Sequence, residues 1–120
     1  MSTLKVNTIQ DASGGNESSA SQISQGRAKA WVRFDGTGTV SITDSFNVSS
    51  ITDNGTGRYG FDFTNNMANG NFAVLISTVE DADAGGSTSE YTTSGFNVFT
   101  TDDGNFTDRP IVSAVVFGDQ

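Results

Sequence analysis

Residues 44–67 read DSFNVSSITDNGTGRYGFDFTNNM, in which aromatic and β-branched side chains alternate on both sides of a central run of turn-forming residues. Alternation with a period of two is typical of a half-buried β-strand. The residues between the two runs, 53–57, are Asp, Asn, Gly, Thr and Gly, which form tight hairpin turns. We therefore predict a β-hairpin whose buried face is formed by Phe46, Val48, Tyr59, Phe61 and Phe63.

The same alternation extends through residues 27–120, with Asp, Asn and Gly turns about every 8 to 12 residues. In residues 39–46, for example, Val40, Ile42 and Phe46 are expected to face inward. No amphipathic helix is expected anywhere in the chain. The pattern predicts an all-β fold, an antiparallel β-sandwich or jelly roll of about seven or eight strands.

The first 26 residues differ in composition from the rest of the chain. Residues 3–10 have the pattern of a short strand, whereas residues 11–26, DASGGNESSASQISQG, are dominated by Ser, Gly, Asn and Gln. Such a composition is typical of a linker rather than of a packed core. We therefore divide the chain into an extended N-terminal docking arm and linker, residues 1–26, and a β-sandwich domain, residues 27–120.

The composition argues against several classes of function. Neither cysteine nor histidine occurs among the 120 residues, so the commonest nucleophiles, general bases and metal ligands are missing. Carboxylates are present, but nothing in the pattern marks a catalytic pair, and we expect no enzyme and no cofactor. The formal net charge of -8 disfavours nucleic acid and anionic membrane surfaces. The N-terminus lacks the pattern of a signal peptide, and no apolar run is long enough to span a bilayer.

Two acidic segments are candidate cation ligands. EDADAGG (80–86) and TDDGN (101–105) supply carboxylate and amide oxygens of the kind that Ca²⁺ prefers. Neither segment is followed by a glutamate at the spacing of an EF-hand loop. Turn formation on an acidic surface explains both segments, and we predict no metal site.

Residues 28–34, AKAWVRF, carry a candidate ligand or partner face. Alternation places Ala28, Ala30, Val32 and Phe34 inward and Lys29, Trp31 and Arg33 outward. An exposed indole offers a stacking surface for a sugar ring, and Trp and Arg are both enriched at protein interfaces. The apolar neighbouring strands favour a protein interface over a ligand site.

Two segments are apolar on both faces, FAVLISTVE (72–80) and IVSAVVFG (111–118). Such strands either lie centrally, covered on both faces, or pack against sister subunits, because a soluble monomer rarely exposes a large apolar patch. The predicted interface residues of the last strand are Val112, Ala114 and Val116. In the arm, Leu4, Val6 and Ile9 are predicted to contact another chain, since an arm strand has no partner in its own linker.

Two stretches of the sequence, together with the linker between them, show a resemblance to a known family. They are STLKVNTIQ (2–10) and GRAKAWVRFDGTGTVSITDSFNVSSITDNGTGRYGFDFTNNMANGNFAV (26–74). They resemble a module of tail-fibre and virion structural proteins of marine tailed bacteriophages, particularly cyanophages. The likeness is densest in residues 27–74 and weaker from about residue 81 onward. It implies a homotrimeric β-sandwich on the virion surface, synthesised in the host cytoplasm. The arm would dock on other virion proteins, and the loops DADAGGSTSEY (81–91) and TDDGNFTDR (101–109) would form the distal surface.

The resemblance leaves two functions open. One is a surface appendage of the tail-fibre or fibre-tip type that attaches the particle to the host, for example through a cell-surface glycan. The alternative is a capsid decoration or cement protein that stabilises the head without a host ligand. The chain has no shaft such as many tail fibres carry, so the resemblance does not choose between tail and head.

Overall fold

The computed structural model describes residues 1–79 and 83–120, and almost all of the regular structure in them is β-strand. In chain order the elements are β1 (Thr8–Ile9), β2 (Ser18–Ser19), α1 (Ala20–Gly26), β3 (Ala30–Asp35), β4 (Ser41–Phe46), β5 (Val48–Asp53), β6 (Arg58–Phe63), β7 (Ala73–Thr78), β8 (Ala84–Thr92), β9 (Gly95–Asp102), β10 (Asn105–Phe106) and β11 (Val112–Phe117).

Nine of the strands form two antiparallel sheets that enclose one core. The first sheet has the order β4-β3-β11-β7. In the second, β5, β6 and β9 are successive neighbours, and β9 also pairs with β8 and β10. The predicted all-β antiparallel sandwich is confirmed. This strand order does not show the jelly-roll winding or a trimer, which stay predictions.

The core lies between the sheets and contains six aromatic side chains. Phe34 of β3 reaches across to Tyr59 and Phe61 of β6, with ring centroids 4.9 and 5.0 Å apart. Phe61 in turn stacks on Phe96 of β9 at 5.4 Å. Edge-to-face and offset ring pairs at these distances add to the free energy gained from burying apolar area.

The predicted hairpin is present as β5 and β6, and Tyr59, Phe61 and Phe63 point into the core as expected. The prediction for Phe46 is wrong, because this side chain is 48 % exposed on the outer face of the first sheet. The cause is a β-bulge between β3 and β4. Phe34 opposes Ile42 and Arg33 opposes Asp44, so one extra residue, Thr43, reverses the alternation beyond it.

Asn47 is the single residue between β4 of the first sheet and β5 of the second, since β4 ends at Phe46 and β5 begins at Val48. Its φ of 56° lies in the left-handed region, which Asn tolerates better than most residues. The side-chain amide donates to the carbonyl oxygens of Lys29 and Asn65 at 3.1 and 3.0 Å, and its oxygen accepts from the Asn65 N–H at 2.7 Å. These hydrogen bonds fix the connection between β4 and β5 to the residue before β3 and to the turn after β6.

Residues 84–92 form a strand where the sequence predicted an acidic distal loop. This strand, β8, pairs with β9 along most of its length. Its two glycines lie where a side chain would collide, since a Cβ on Gly86 would approach Ile76 Cγ2 to 2.8 Å and one on Gly85 would approach Thr101 Oγ1 to 2.5 Å. Glycine here reflects close packing rather than a flexible loop.

The arm contains more regular structure than predicted. β1 pairs with β2, so part of the arm strand does find a partner inside its own linker. The intervening loop is organised by Asp11, and hydrogen bonds from Ser13, Gly15 and Asn16 hold the pKa of its carboxyl below the ordinary value, Ser13 contributing most. A seven-residue helix follows, although none was expected, and a reciprocal capping box of Ser19 and Gln22 starts it.

Tyr59 ties the core to the segment before β11. Its hydroxyl lies 2.9 Å from Asp108 Oδ1 and 3.2 Å from the Gly36 carbonyl oxygen. Burial raises the pKa of Tyr59 to about 12, and the hydrogen bond to Asp108 adds to the rise. An ionised phenol is thus disfavoured in the folded protein.

We expect this shift to appear as a loss of stability in strong base. A phenol whose pKa is about 10 when unfolded and about 12 when folded contributes stability fully below pH 10 and loses it as the pH rises towards 12. Urea unfolding between pH 8 and pH 12 measures the effect, with Tyr59→Phe as the control. The difference in stability between wild type and variant should shrink above about pH 10. A stability difference between wild type and Tyr59→Phe that stays constant from pH 8 to pH 12 would contradict the raised pKa of Tyr59.

Candidate functional site

The outer face of the first sheet carries a row of apolar side chains, which we call the apolar band. It consists of Phe46, Trp31, Val115 and Leu75, one from each strand, and each is the register partner of the next across the sheet. Leu75 is 58 % exposed, Phe46 48 % and Trp31 37 %. Such rows are unusual on the solvent face of a sheet, where polar side chains normally alternate with the buried ones.

The next row of the same face is polar. Arg33 opposes Asp44 across β3 and β4, and Ser113 and Ser77 continue the row on β11 and β7. Two residues of the predicted partner face, Trp31 and Arg33, are thus neighbours on the outer surface, as expected. Alongside them, β7 is the last strand of the sheet within the described residues, and its second edge has no strand partner there.

The prediction that Lys29 is exposed on this face is wrong. Its side chain is buried, and its ammonium donates to the carbonyl oxygens of Ser24 and Arg27 at the end of α1. Cations bind the last carbonyls of a helix because these have no partner within the helix. Lys29 therefore joins the arm to the sandwich and does not face solvent.

The interface role predicted for Val112, Ala114 and Val116 is also wrong for these side chains. All three point into the sandwich's own core and are at most 1 % exposed. The strand is central in its sheet, between β3 and β7. Its outward residues Val115 and Phe117 are the ones that remain half-buried on the outer surface.

The apolar residues of the arm, Leu4, Val6 and Ile9, are all exposed. Only Thr8 and Ile9 belong to a strand, so the predicted strand over residues 3–10 is shorter than expected. The arm meets the sandwich through Lys29 and through a hydrogen bond from Gln25 to Asp119. The predicted contact with another chain stays a prediction.

The outer face of the second sheet carries a groove that the sequence did not predict. Two adjoining clefts of about 250 and 340 Å³ share Asn54, Glu90 and Asn97. We call them together the polar groove; its further lining includes Thr52, Arg58, Gly60, Asp62 and Phe99. These residues come from separate parts of the chain, so only the strand register brings them together. The available signal was Gly60 inside an aromatic strand, because glycine there often marks an opening or a close approach.

Glu90 and Asn97 are hydrogen-bonded to each other in the polar groove. The Asn97 amide donates to Glu90 Oε2 at 2.8 Å. Glu90 has a φ of 52° at a β-bulge where the pairing of β8 with β9 shifts between Ser89 and Thr92. A left-handed conformation is unfavourable for a glutamate, so the fold holds this carboxylate over the groove at some cost.

The acidic turn after β9 forms a hairpin instead of a cation loop. Asp103 and Gly104 have φ values of 45° and 79° and connect β9 to β10. Behind it, the guanidinium of Arg109 is buried, donates to the Thr101 carbonyl oxygen and lies 3.4 Å from Asp102 Oδ1. No cluster of three or more potential metal ligands occurs within residues 1–79 and 83–120. Glu80 and Asp81, two acids of the other candidate cation segment, lie outside the described residues.

Comparisons with protein-family models, with curated proteins and with solved structures gave no significant match to the chain. No helix in the described part of the chain is long and apolar enough to cross a membrane. The fold and the two outer faces therefore define this protein as a small β-sandwich with one apolar and one polar surface.

Proposed function

We propose that the protein is a structural protein of a bacteriophage virion, a homotrimeric surface appendage of the tail-fibre or fibre-tip type that attaches the particle to its host. The resemblance of residues 2–74 to such proteins supports the biological setting. The antiparallel sandwich is compatible with that module, and the exposed arm suits docking on other virion proteins. The proposed role is binding and assembly rather than catalysis.

The observation that carries the proposal is the apolar band. Phe46, Trp31, Val115 and Leu75 form a continuous row that crosses the whole first sheet. Covering such a row removes apolar surface from water, and the free energy gained is about 25 cal/mol per Å² of apolar area buried. The strand edge of β7 lies at one end of the row and has no strand partner among residues 1–79 and 83–120, so a strand of another chain can pair there.

Further copies of this chain are the occupants that fit the band best. In a cyclic trimer each copy presents the same face towards a common axis, so a single row of apolar side chains suffices for all three contacts. The Arg33 and Asp44 row next to the band can pair across neighbouring copies, because each copy carries both charges. Because the chain carries a net charge of -8, contact through an apolar row favours assembly more than contact through acidic surface.

Leu75→Asp tests the assembly directly. It places a charge at the β7 end of the apolar band, at the most exposed of its four side chains, without touching the core, because Leu75 points away from the other sheet. We expect light scattering to give three times the chain mass of 12.6 kDa for wild type and the single-chain mass for the variant. Phe106→Asp is the matched control, since it replaces an exposed hydrophobe of the other sheet and should leave the trimer intact.

A wild-type protein that is monomeric at micromolar concentration would refute the trimer. If the trimer is found, electron microscopy of the parent particle separates the two functions that the resemblance leaves open. Density at the tail agrees with the proposed appendage. Density at threefold positions of the capsid would instead make the protein a decoration or cement protein.

A further inference from the structure

We propose that the polar groove is a binding site for a neutral saccharide. This inference rests on the proposed function, because it supplies the class of host-surface ligand that an attachment protein needs. The site would lie on the second sheet, opposite the apolar band, so that assembly leaves it open to solvent.

The shape of the polar groove is suited to a chain of sugar rings. Its two clefts are continuous through Asn54, Glu90 and Asn97, and together they reach the size range of small-ligand pockets. Gly60 forms part of the floor, directly between Thr52 and Asn97 in the register of the sheet. A Cβ at this position would approach Asn54 Nδ2 and Asn97 Oδ1 to 3.1 and 3.2 Å, so the missing side chain keeps the groove open.

The polar groups suit hydroxyl ligands, which donate and accept hydrogen bonds at the same time. The Asn54 and Asn97 amides offer both donors and acceptors, and the Glu90 carboxylate offers acceptors. The bond from Asn97 to Glu90 Oε2 orients both side chains before any ligand arrives. At the edge of the groove, Asp62 is held in the same way by the Ser50 hydroxyl at 2.8 Å. Preorientation of this kind lowers the entropy cost of binding.

An aromatic surface adjoins the polar groups. Phe99 lines the second cleft and packs edge-to-face on Phe106, with ring centroids 5.7 Å apart. The Arg58 guanidinium lies 4.3 Å from the centre of the Phe106 ring and lines the same cleft. An aromatic side chain next to hydrogen-bonding groups matches a sugar ring, which has an apolar face and a polar rim.

Charge favours a neutral ligand over an anionic one. The polar groove contains the carboxylates of Glu90 and Asp62 and one cation, Arg58. The whole chain carries a net charge of -8, which repels anions further. The described residues hold no three-acid cluster through which a bridging cation could recruit an acidic sugar.

The conformation of Glu90 is the strongest single argument for a function in the polar groove. Glycine would adopt its φ of 52° without strain, whereas a glutamate there is strained. Unfavourable backbone conformations persist mainly where the residue serves a function. The groove therefore keeps a glutamate where the backbone conformation alone favours glycine.

The test is a titration of ¹⁵N-labelled protein with three neutral trisaccharides, cellotriose, mannotriose and maltotriose, at millimolar concentration. We expect at least one of them to shift the amide signals of Gly60, Glu90 and Asn97. Glu90→Gln and Asn97→Ala should each weaken that binding about tenfold or more, the cost of losing a hydrogen bond to a charged or preoriented group. Asn66→Ala, which removes an exposed amide outside the groove, should bind as wild type does.

Glu90→Gly separates function from folding. It removes both the strain and the carboxylate, so we expect a melting temperature a few degrees higher than that of wild type together with the loss of binding. A variant that merely failed to fold would show the opposite change in melting temperature. Binding that survives in Glu90→Gly would remove Glu90 from the site and overturn the inference.

The inference is also overturned if none of the three trisaccharides shifts the groove signals, if the shifts lie elsewhere, or if anionic sialyllactose binds more tightly than all three. Leu75→Asp tests saccharide binding separately from the proposed trimer. Single-site affinity should be the same in Leu75→Asp and wild type, since the apolar band and the polar groove lie on different sheets. A trimer without saccharide binding would refute only the groove, and a saccharide-binding monomer would refute only the trimer.

Discussion

Phe61→Ala is expected to lower the free energy of unfolding by about 4 kcal/mol, since removing a buried phenylalanine typically costs 3–5 kcal/mol. The ring is 3 % exposed and lies between Phe34 and Phe96, so it joins the two sheets. Its removal loses the burial of the ring and leaves a cavity between sheets that cannot close without moving their strands. Urea unfolding of wild type and variant measures the loss.

Phe106→Ala is the control for this prediction. Phe106 is exposed and packs against Phe99 and Arg58 on the outer surface of the second sheet. Its truncation should cost under about 1 kcal/mol, as is usual for surface positions. Similar losses for the two variants would mean that Phe61 does not occupy the core between the sheets.

Gly95→Ala should also be strongly destabilising, with a loss of about 3 kcal/mol or more, or no cooperative unfolding at all. Gly95 begins β9 and pairs with Asp62 of β6. An added Cβ would overlap the carbonyl oxygen of Phe61, which is backbone and cannot move aside without opening the ladder between the two strands. Thermal unfolding followed by circular dichroism gives the comparison.

Gly26→Ala serves as the matched control. The added Cβ at Gly26 would have nothing within 4 Å, and the residue ends the arm helix rather than a core strand. We expect a change within about 0.5 kcal/mol of zero. If Gly95→Ala were equally neutral, the register of β6 against β9 would have to differ from the one described here.

The turn and the buried face of the β5–β6 hairpin could both be predicted from the local sequence pattern. Asp53 accepts a hydrogen bond from the Gly55 N–H, and Gly55 and Gly57 adopt positive φ values of 120° and 65°. These are the features that the turn residues predicted, and the alternation of Tyr59, Phe61 and Phe63 correctly identified the buried face. Local chemistry was sufficient because the turn, the strands and the burial period lie within one continuous segment.

Pattern failed where a single residue or a distant contact changed the outcome. Strict alternation assigned Phe46 to the core, but the bulge at Thr43 turns it outward, and nothing local marks the bulge. Alternation also placed Lys29 in solvent, whereas α1, a helix that was not predicted, supplies the carbonyl groups that bury its ammonium. The glycine-rich segment 84–92 resembles a loop and is a strand, because neighbouring side chains fill the space above its glycines.

The same division applies to the surfaces on which the proposed function depends. Composition and periodicity alone gave the all-β sandwich, because two-residue alternation and turn chemistry are properties of neighbouring residues. The apolar band and the polar groove could not be obtained in this way. Each is built from strands far apart in the chain, so its residues become neighbours only when the sheets adopt one order and one register. That order depends on how the whole core packs, which is a property of the folded chain and not of any segment of it.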